Sequence, residues 1–234
     1  TMYWRLLQLE FKNFLRNPQF GANLAMKILS AFGMIYFSLM FAGMPFLLYF
    51  FAKKKLQLDP LMLFCKYFVY YWAFDLIIRY FIQQMPTQNI KPFLTTGLTK
   101  KKLVNYTLLK IIFNFFNWGN LLFLVPFAGL LIFDGGYSII KVLMFTLGIL
   151  GVFYFNNFLN ILLNGKDFVV YIVFGLMAIF GGLEYFKLIQ LSYFSEKIFY
   201  SFYQFPGVFV IPILLALILS YLAYREIFQN FYLD

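Results

Sequence analysis

The sequence contains no histidine and a single cysteine, Cys65. The first absence excludes any mechanism built on a histidine base, nucleophile or metal ligand. The second excludes an internal disulfide and a cysteine metal cluster. Charge is also scarce. Only 12% of the 234 residues are charged, against about 25% in a soluble domain. No G-x-x-x-x-G-K-[ST] run occurs, so the chain has no P-loop, and Gly165-Lys166-Asp167 lacks both the upstream glycine and the Ser/Thr. A G-x-S-x-G elbow is missing too. Nothing reads as a catalytic site, and the chain is expected not to be an enzyme. If it performs driven work, another polypeptide supplies the energy.

What is present is apolar surface. Hydrophobic residues make up 63% of the chain, more than a soluble core of this size could hide from water. The expected class is an all-α integral membrane protein forming a single transmembrane domain over residues 1–234. A helix needs about 20 apolar residues to cross a bilayer. The charges punctuate the chain into six such stretches, at about 28–52, 60–82, 108–133, 139–164, 168–185 and 207–224. The stretch between the fifth and sixth is too polar to cross and too apolar to be a free loop. It reads as a re-entrant or interfacial amphipathic element.

The net charge of +10 comes from 19 Lys/Arg against 9 Asp/Glu. In a membrane protein such a bias reports orientation, so no nucleic-acid partner is called for. With the N-terminus cytoplasmic, 12 of the 19 basic residues fall on the cytoplasmic side and 7 on the other, with Lys53–Lys55 opposing the trend. The expectation is a multi-pass protein of the cytoplasmic (inner) membrane with both termini cytoplasmic. No cleavable signal peptide is expected, because an amphipathic segment precedes a first apolar run longer than a signal core.

That segment, residues 2–18, predicts an N-terminal interfacial helix. Trp4, Phe11 and Phe14 fall on one face, with Arg5, Lys12 and Arg16 opposite or beside them. It either lies in the headgroup layer or packs on a partner's cytoplasmic domain. Asn17-Pro18 ends it. Small residues Gly21 and Ala25, four apart, are placed for close helix approach in lipid.

Within span two, Asp75 and Arg79 stand four apart on one helical face and are expected to pair, since either alone is costly in lipid. The pair either fixes the helix or serves as a gate or substrate contact. Span four carries Asn156, Asn157, Asn160 and Asn164. Three of them, Asn156, Asn160 and Asn164, form a polar stripe suited to hydrogen-bonding a neighbouring helix or to lining a polar cavity. Asn114, Asn117 and Asn120 do something similar in span three. With Arg79 neutralising the main in-span acid, a proton- or sodium-driven carrier has little support.

The loop over 83–103 is the most informative segment. Pro86 and Pro92 shape it into an excursion rather than a tight turn. Leu98 and Thr99 lead into Lys100, Lys101 and Lys102, with Thr99 a candidate N-cap for the next helix. The lysines suit the headgroup level, or act only as a snorkelling anchor.

The layout as a whole resembles the permease of a type-2 ABC exporter: an amphipathic N-terminal helix, six spans, a basic excursion after span two and an amphipathic stretch before span six. More closely, Asp75, Arg79, Pro86, Asn89-Ile90-Lys91-Pro92 and Lys100-Lys101-Lys102-Leu103-Val104 resemble an uncharacterised family of bacterial membrane proteins related to those permeases. Gly97-Leu98 stands where such permeases often carry Leu-Pro. The resemblance implies that Pro86, Asn89, Lys91, Pro92, Leu98, Thr99 and Lys100–Lys102 dock a separate ABC-type ATPase, which holds the ATP and Mg. The chain itself would bind no cofactor and no metal. It would pair with a second permease copy or a second half, in the lipid membrane, to form a transport pathway. A membrane scaffold or assembly subunit without a pathway is the alternative. The substrate is not legible.

Overall fold

A computed structural model describes Gln8 and residues 24–83, 99–205 and 207–230. Among these every regular element is helical: α1 (Leu24–Phe50), α2 (Pro60–Ile82), α3 (Lys100–Ile112), α4 (Phe115–Phe133), α5 (Ile139–Leu163), α6 (Asp167–Tyr185), α7 (Leu191–Gln204) and α8 (Val210–Asn230). Six helical runs among the described residues are long and apolar enough to cross a membrane. The N-terminal segment carrying Trp4, Arg5, Phe11, Lys12, Phe14 and Arg16 lies outside the described residues.

α1 contains Pro45 and ends in a π-helical turn, Phe51–Leu56, closed by Gln57 in the left-handed region (φ 52°). Lys53, Lys54 and Lys55 sit on that turn, over the rings of Tyr49, Phe50 and Phe51 at 5.5, 5.3 and 5.5 Å. Lys53 also bridges to Asp134 at 2.6 Å, tying the turn to the end of α4.

α2 starts where its sequence dictates. Pro60 occupies the first turn, where its missing N–H costs nothing, and Asp59 caps it. Asp59 Oδ1 accepts from Leu61 N at 2.8 Å and from Met62 N at 3.3 Å. It also accepts from the Tyr137 hydroxyl. Burial and the Asp59 carboxylate push that hydroxyl above the ordinary tyrosine range, so it remains a donor. Asp59→Ala is expected to cost about 0.5–2 kcal/mol. Thermal unfolding in mild detergent should show a lowered midpoint, with Tyr137→Phe losing only the smaller share; an unchanged Asp59→Ala midpoint would contradict the capping role.

The charge-free run of span three conceals a break. The structure ends α3 at Ile112 and restarts at Phe115, with Asn114 extended (φ −70°, ψ 152°). Residues 108–112 therefore belong to α3, and α3 and α4 together make up the third membrane-length run, Lys100–Phe133. Asn117 helps make the break tolerable: its Nδ2 donates to the carbonyls of Ile111 and Ile112 at the end of α3, at 3.3 and 3.0 Å. The buried face of α3, Leu103, Val104 and Ile111, packs with Phe158 and Ile161 of α5 and with Ala223 and Ile227 of α8.

α5 is the central helix, packing against α2, α4, α7 and, most extensively, α8. The core around it is aromatic. Phe64, Phe68, Phe127, Phe145, Phe153 and Phe199 converge from α2, α4, α5 and α7.

The amphipathic stretch before the last span forms α7, with Ser195, Phe199 and Phe202 buried on one face. Ser195 Oγ donates to Cys65 O at 2.5 Å and accepts from Val69 N at 3.2 Å. It thus sits inside one rung of the α2 hydrogen-bond ladder. Phe199 packs edge-on against Phe68 at 4.6 Å, and Tyr203 reaches Tyr137 at 5.6 Å. α6 meanwhile flanks the other half of α2, from the Phe174–Tyr80 contact at 5.4 Å to the Tyr70 hydroxyl donating to Glu184. α6 and α7 together thus line the length that α2 covers alone.

Candidate functional site

Near the end of α2, the ion pair expected from the sequence sits in the protein interior. Arg79 is 0% exposed and Asp75 7%. Arg79 Nε donates to Asp75 Oδ2 at 2.8 Å. A buried guanidinium needs partners for its remaining donors, and α5 provides one for Nη1. Arg79 Nη1 donates to Asn157 Oδ1 at 3.2 Å, and Gln83 Nε2 donates to the same oxygen at 3.0 Å. The guanidinium also lies 5.5 Å over the Phe116 ring.

The carboxylate is held from the same helix. Asn156 Nδ2 donates to Asp75 Oδ2 at 3.0 Å and to the Trp72 carbonyl at 2.9 Å. One turn further on, Asn160 Nδ2 reaches the Arg79 carbonyl at 3.3 Å. The ion pair and the asparagine row are therefore a single network joining α2 to α5.

Asn157 extends it to a third element. Its Nδ2 donates to the Ile111 carbonyl at 3.2 Å, which lies at the α3–α4 break and also accepts from Asn114 N at 3.3 Å. Tyr154 lies alongside, its hydroxyl 3.4 Å from the Ile112 carbonyl. Through one amide, the C-terminal end of α3 is linked to the buried charge on α2. The network keeps spare capacity: Arg79 Nη2, Asn156 Oδ1 and Asn160 Oδ1 have no protein partner.

The polar stripe differs from its sequence reading at one end. Asn164 caps α5 in an extended conformation and lies outside the network; its N–H donates to the Asn160 carbonyl at 3.1 Å. Asn157 takes the role instead, although it is absent from the i, i+4 row. Its signal was the i+3 spacing to Asn160, which also shares a helix face. Gln83 was missed altogether: it stands beyond the last residue of α2, where spacing on a helix says nothing.

Of the docking residues, Thr99 and Lys100–Lys102 are described; Pro86, Asn89, Lys91, Pro92 and Leu98 lie outside the described residues. Thr99 does precede α3, with an extended backbone whose carbonyl accepts from Lys102 N and Leu103 N at 3.0 and 3.2 Å. Its side chain makes no capping bond. Lys100 is half-buried, its Nζ 4.8 Å over Phe228 of α8, whereas Lys101 and Lys102 are exposed. Close by in sequence to these contacts, Lys166 bridges to Glu226 of α8 at 3.0 Å. Among the described residues no group of three or more Cys, Asp or Glu converges as a metal site would require.

A model described as "Family of unknown function (DUF5687)" matches residues 10–234, and the chain belongs to that family. No curated protein and no solved structure matches it.

Proposed function

We propose that this family member is the transmembrane permease subunit of an ATP-driven ABC exporter, docking a separate ATPase through the segment between α2 and α3. One observation carries the reading. α3 presents exposed Lys101 and Lys102 at its first turn, and at its last turn its Ile111 carbonyl is held by Asn157, the residue bonded to Arg79. A rigid amphipathic helix connects a basic docking end to a buried charge shared by α2 and α5.

In this reading ATP binding closes the partner subunits and displaces residues 83–103. α3 moves with them. Because the carbonyls at its C-terminal end are bonded to Asn117, Asn157 and Tyr154, the displacement is felt at the Arg79 network rather than dissipated at the break. No side chain of this chain performs chemistry; ATP and Mg reside on the partner. The chain sits in the cytoplasmic (inner) membrane with both termini cytoplasmic, which places the α3 lysines toward the ATPase. A second permease copy or second half completes the pathway, against one of the apolar faces that α1, α6 and α8 leave exposed.

Gentle-detergent purification is expected to recover a P-loop ATPase with the chain, identified by peptide mass. Replacing the exposed Lys101 and Lys102 together by glutamate should lower that recovery by about tenfold or more, by like-charge or lost-contact effects at the docking surface. The amount of folded subunit should be unchanged. Absence of such an ATPase, with transport unaffected by the double replacement, would overturn the proposal.

A further inference from the structure

Away from the charge network, α1 packs mainly on α4 and makes little contact with α2. A groove of about 220 Å³ remains between the three helices, with Phe153 of α5 also lining it. Its deep wall is aromatic, with Phe64 and Phe68 buried, while Met44 and Tyr67 at its edge are exposed. A single amide interrupts the apolar lining. Asn120, 2% exposed, accepts the Tyr71 hydroxyl on Oδ1 at 2.6 Å, and its Nδ2 has no partner.

We propose that this groove binds a lipid-soluble molecule of one to three fused or linked rings carrying a carbonyl-type acceptor, with the rings against Phe64 and Phe68 and the acceptor on Asn120 Nδ2. Size sets the class. An apolar cavity of about 150 Å³ accommodates benzene, so this groove takes a somewhat larger ring system, with any remainder extending past the open edge. Ring faces and edges at the wall favour an aromatic guest over a flexible chain. The amide selects further. A buried N–H without an acceptor is costly, and a guest lacking one leaves that cost in place. A lipid acyl chain has no acceptor along its length, and an aliphatic side chain of a second copy has none either. Entry past exposed apolar Met44 and Tyr67 restricts the guest to molecules that partition into lipid. Nothing in this site depends on an ATPase docking to the chain.

The test uses the purified chain in phosphatidylcholine nanodiscs, photolabelled with benzophenone and mapped by mass spectrometry. Two unlabelled competitors differ only at the acceptor: 9-fluorenone has C=O where 9-methylenefluorene has C=CH2. Labelling should concentrate at Met44 and its groove neighbours. Fluorenone should suppress it at about tenfold lower concentration than the alkene, the ratio that 1.4 kcal/mol of selectivity gives. Asn120→Leu should erase that difference. If the variant does not fold, by size-exclusion profile, the two competitors on the wild-type chain decide alone. Equal competition by both, or label spread evenly over the lipid-facing sides of α1, α6 and α8, would overturn the proposal and assign the groove to acyl chains or to a second copy.

Discussion

Asp75→Ala is expected to remove most of the folded protein from the membrane fraction. The loss follows from what the substitution leaves behind. Arg79 has no exposed surface to which its charge could turn, and its Nε loses the carboxylate 2.8 Å away. Breaking a buried pair in this way costs about 3–5 kcal/mol. Asn156 Nδ2 also loses one of its two acceptors. Removing both charges has a different sign of consequence. Asp75→Leu combined with Arg79→Met deletes the need for compensation and fills similar volume, so the double variant should recover much of the yield lost by the single one. Fluorescence-detected size exclusion and thermal midpoints in mild detergent measure this directly. A double variant no better than Asp75→Ala would show that the two groups do not act as a pair.

Gly151→Val should separate α5 from α8, the most extensive helix contact in the bundle. A Cβ at position 151 would lie 2.9 Å from Ile213 N and 3.0 Å from Pro212 C. Both are backbone atoms, so no side-chain rotation relieves the clash and α8 must move as a body. Overpacking of this kind costs about 1–3 kcal/mol for small insertions, and valine adds more bulk than the single methyl of alanine. Position 175 provides the control. A Cβ there meets nothing within 4 Å, and alanine is a better helix former than glycine by about 0.8–1 kcal/mol. Gly175→Ala should therefore melt at or above the wild-type temperature while Gly151→Val melts well below it. Equal midpoints for the two would mean that α5 and α8 are not in backbone contact.

These two positions differ in how far the sequence alone exposes them. Asp75 and Arg79 are legible because i, i+4 spacing on a helix is fixed by its 1.5 Å rise and 3.6-residue turn, whatever surrounds it. The start of α2 at Asp59-Pro60 is legible for the same local reason. Gly151 was not singled out. The sequence pointed instead to Gly21 and Ala25 for close helix approach; Gly21 and the side chain of Ala25 lie outside what the structure describes. A glycine signals close packing only once a facing backbone is known, and Pro212 is 61 positions away along the chain.

The same division runs through the candidate site. Charge punctuation determined six membrane-length stretches, because a charge in lipid is costly wherever it falls. It did not reveal that span three breaks at Asn114, since the break is satisfied by uncharged amides and hydroxyls that leave the apolar count unchanged. The amphipathic pattern marked the segment before the last span. Its placement along α2, with Ser195 in the Cys65–Val69 rung, required a partner helix to be in position. The sequence also contained both the ion pair and the asparagine row, as separate features on separate spans. Only the packing of α5 against α2 made them one network, left Asn164 at the end of the row outside it, gave Asn157 the central position, and brought the end of α3 into hydrogen-bond reach. Local geometry fixes which residues share a face. The rotation and depth of one helix against another depend on side-chain volumes summed over the whole interface, and that sum exists only in the folded protein.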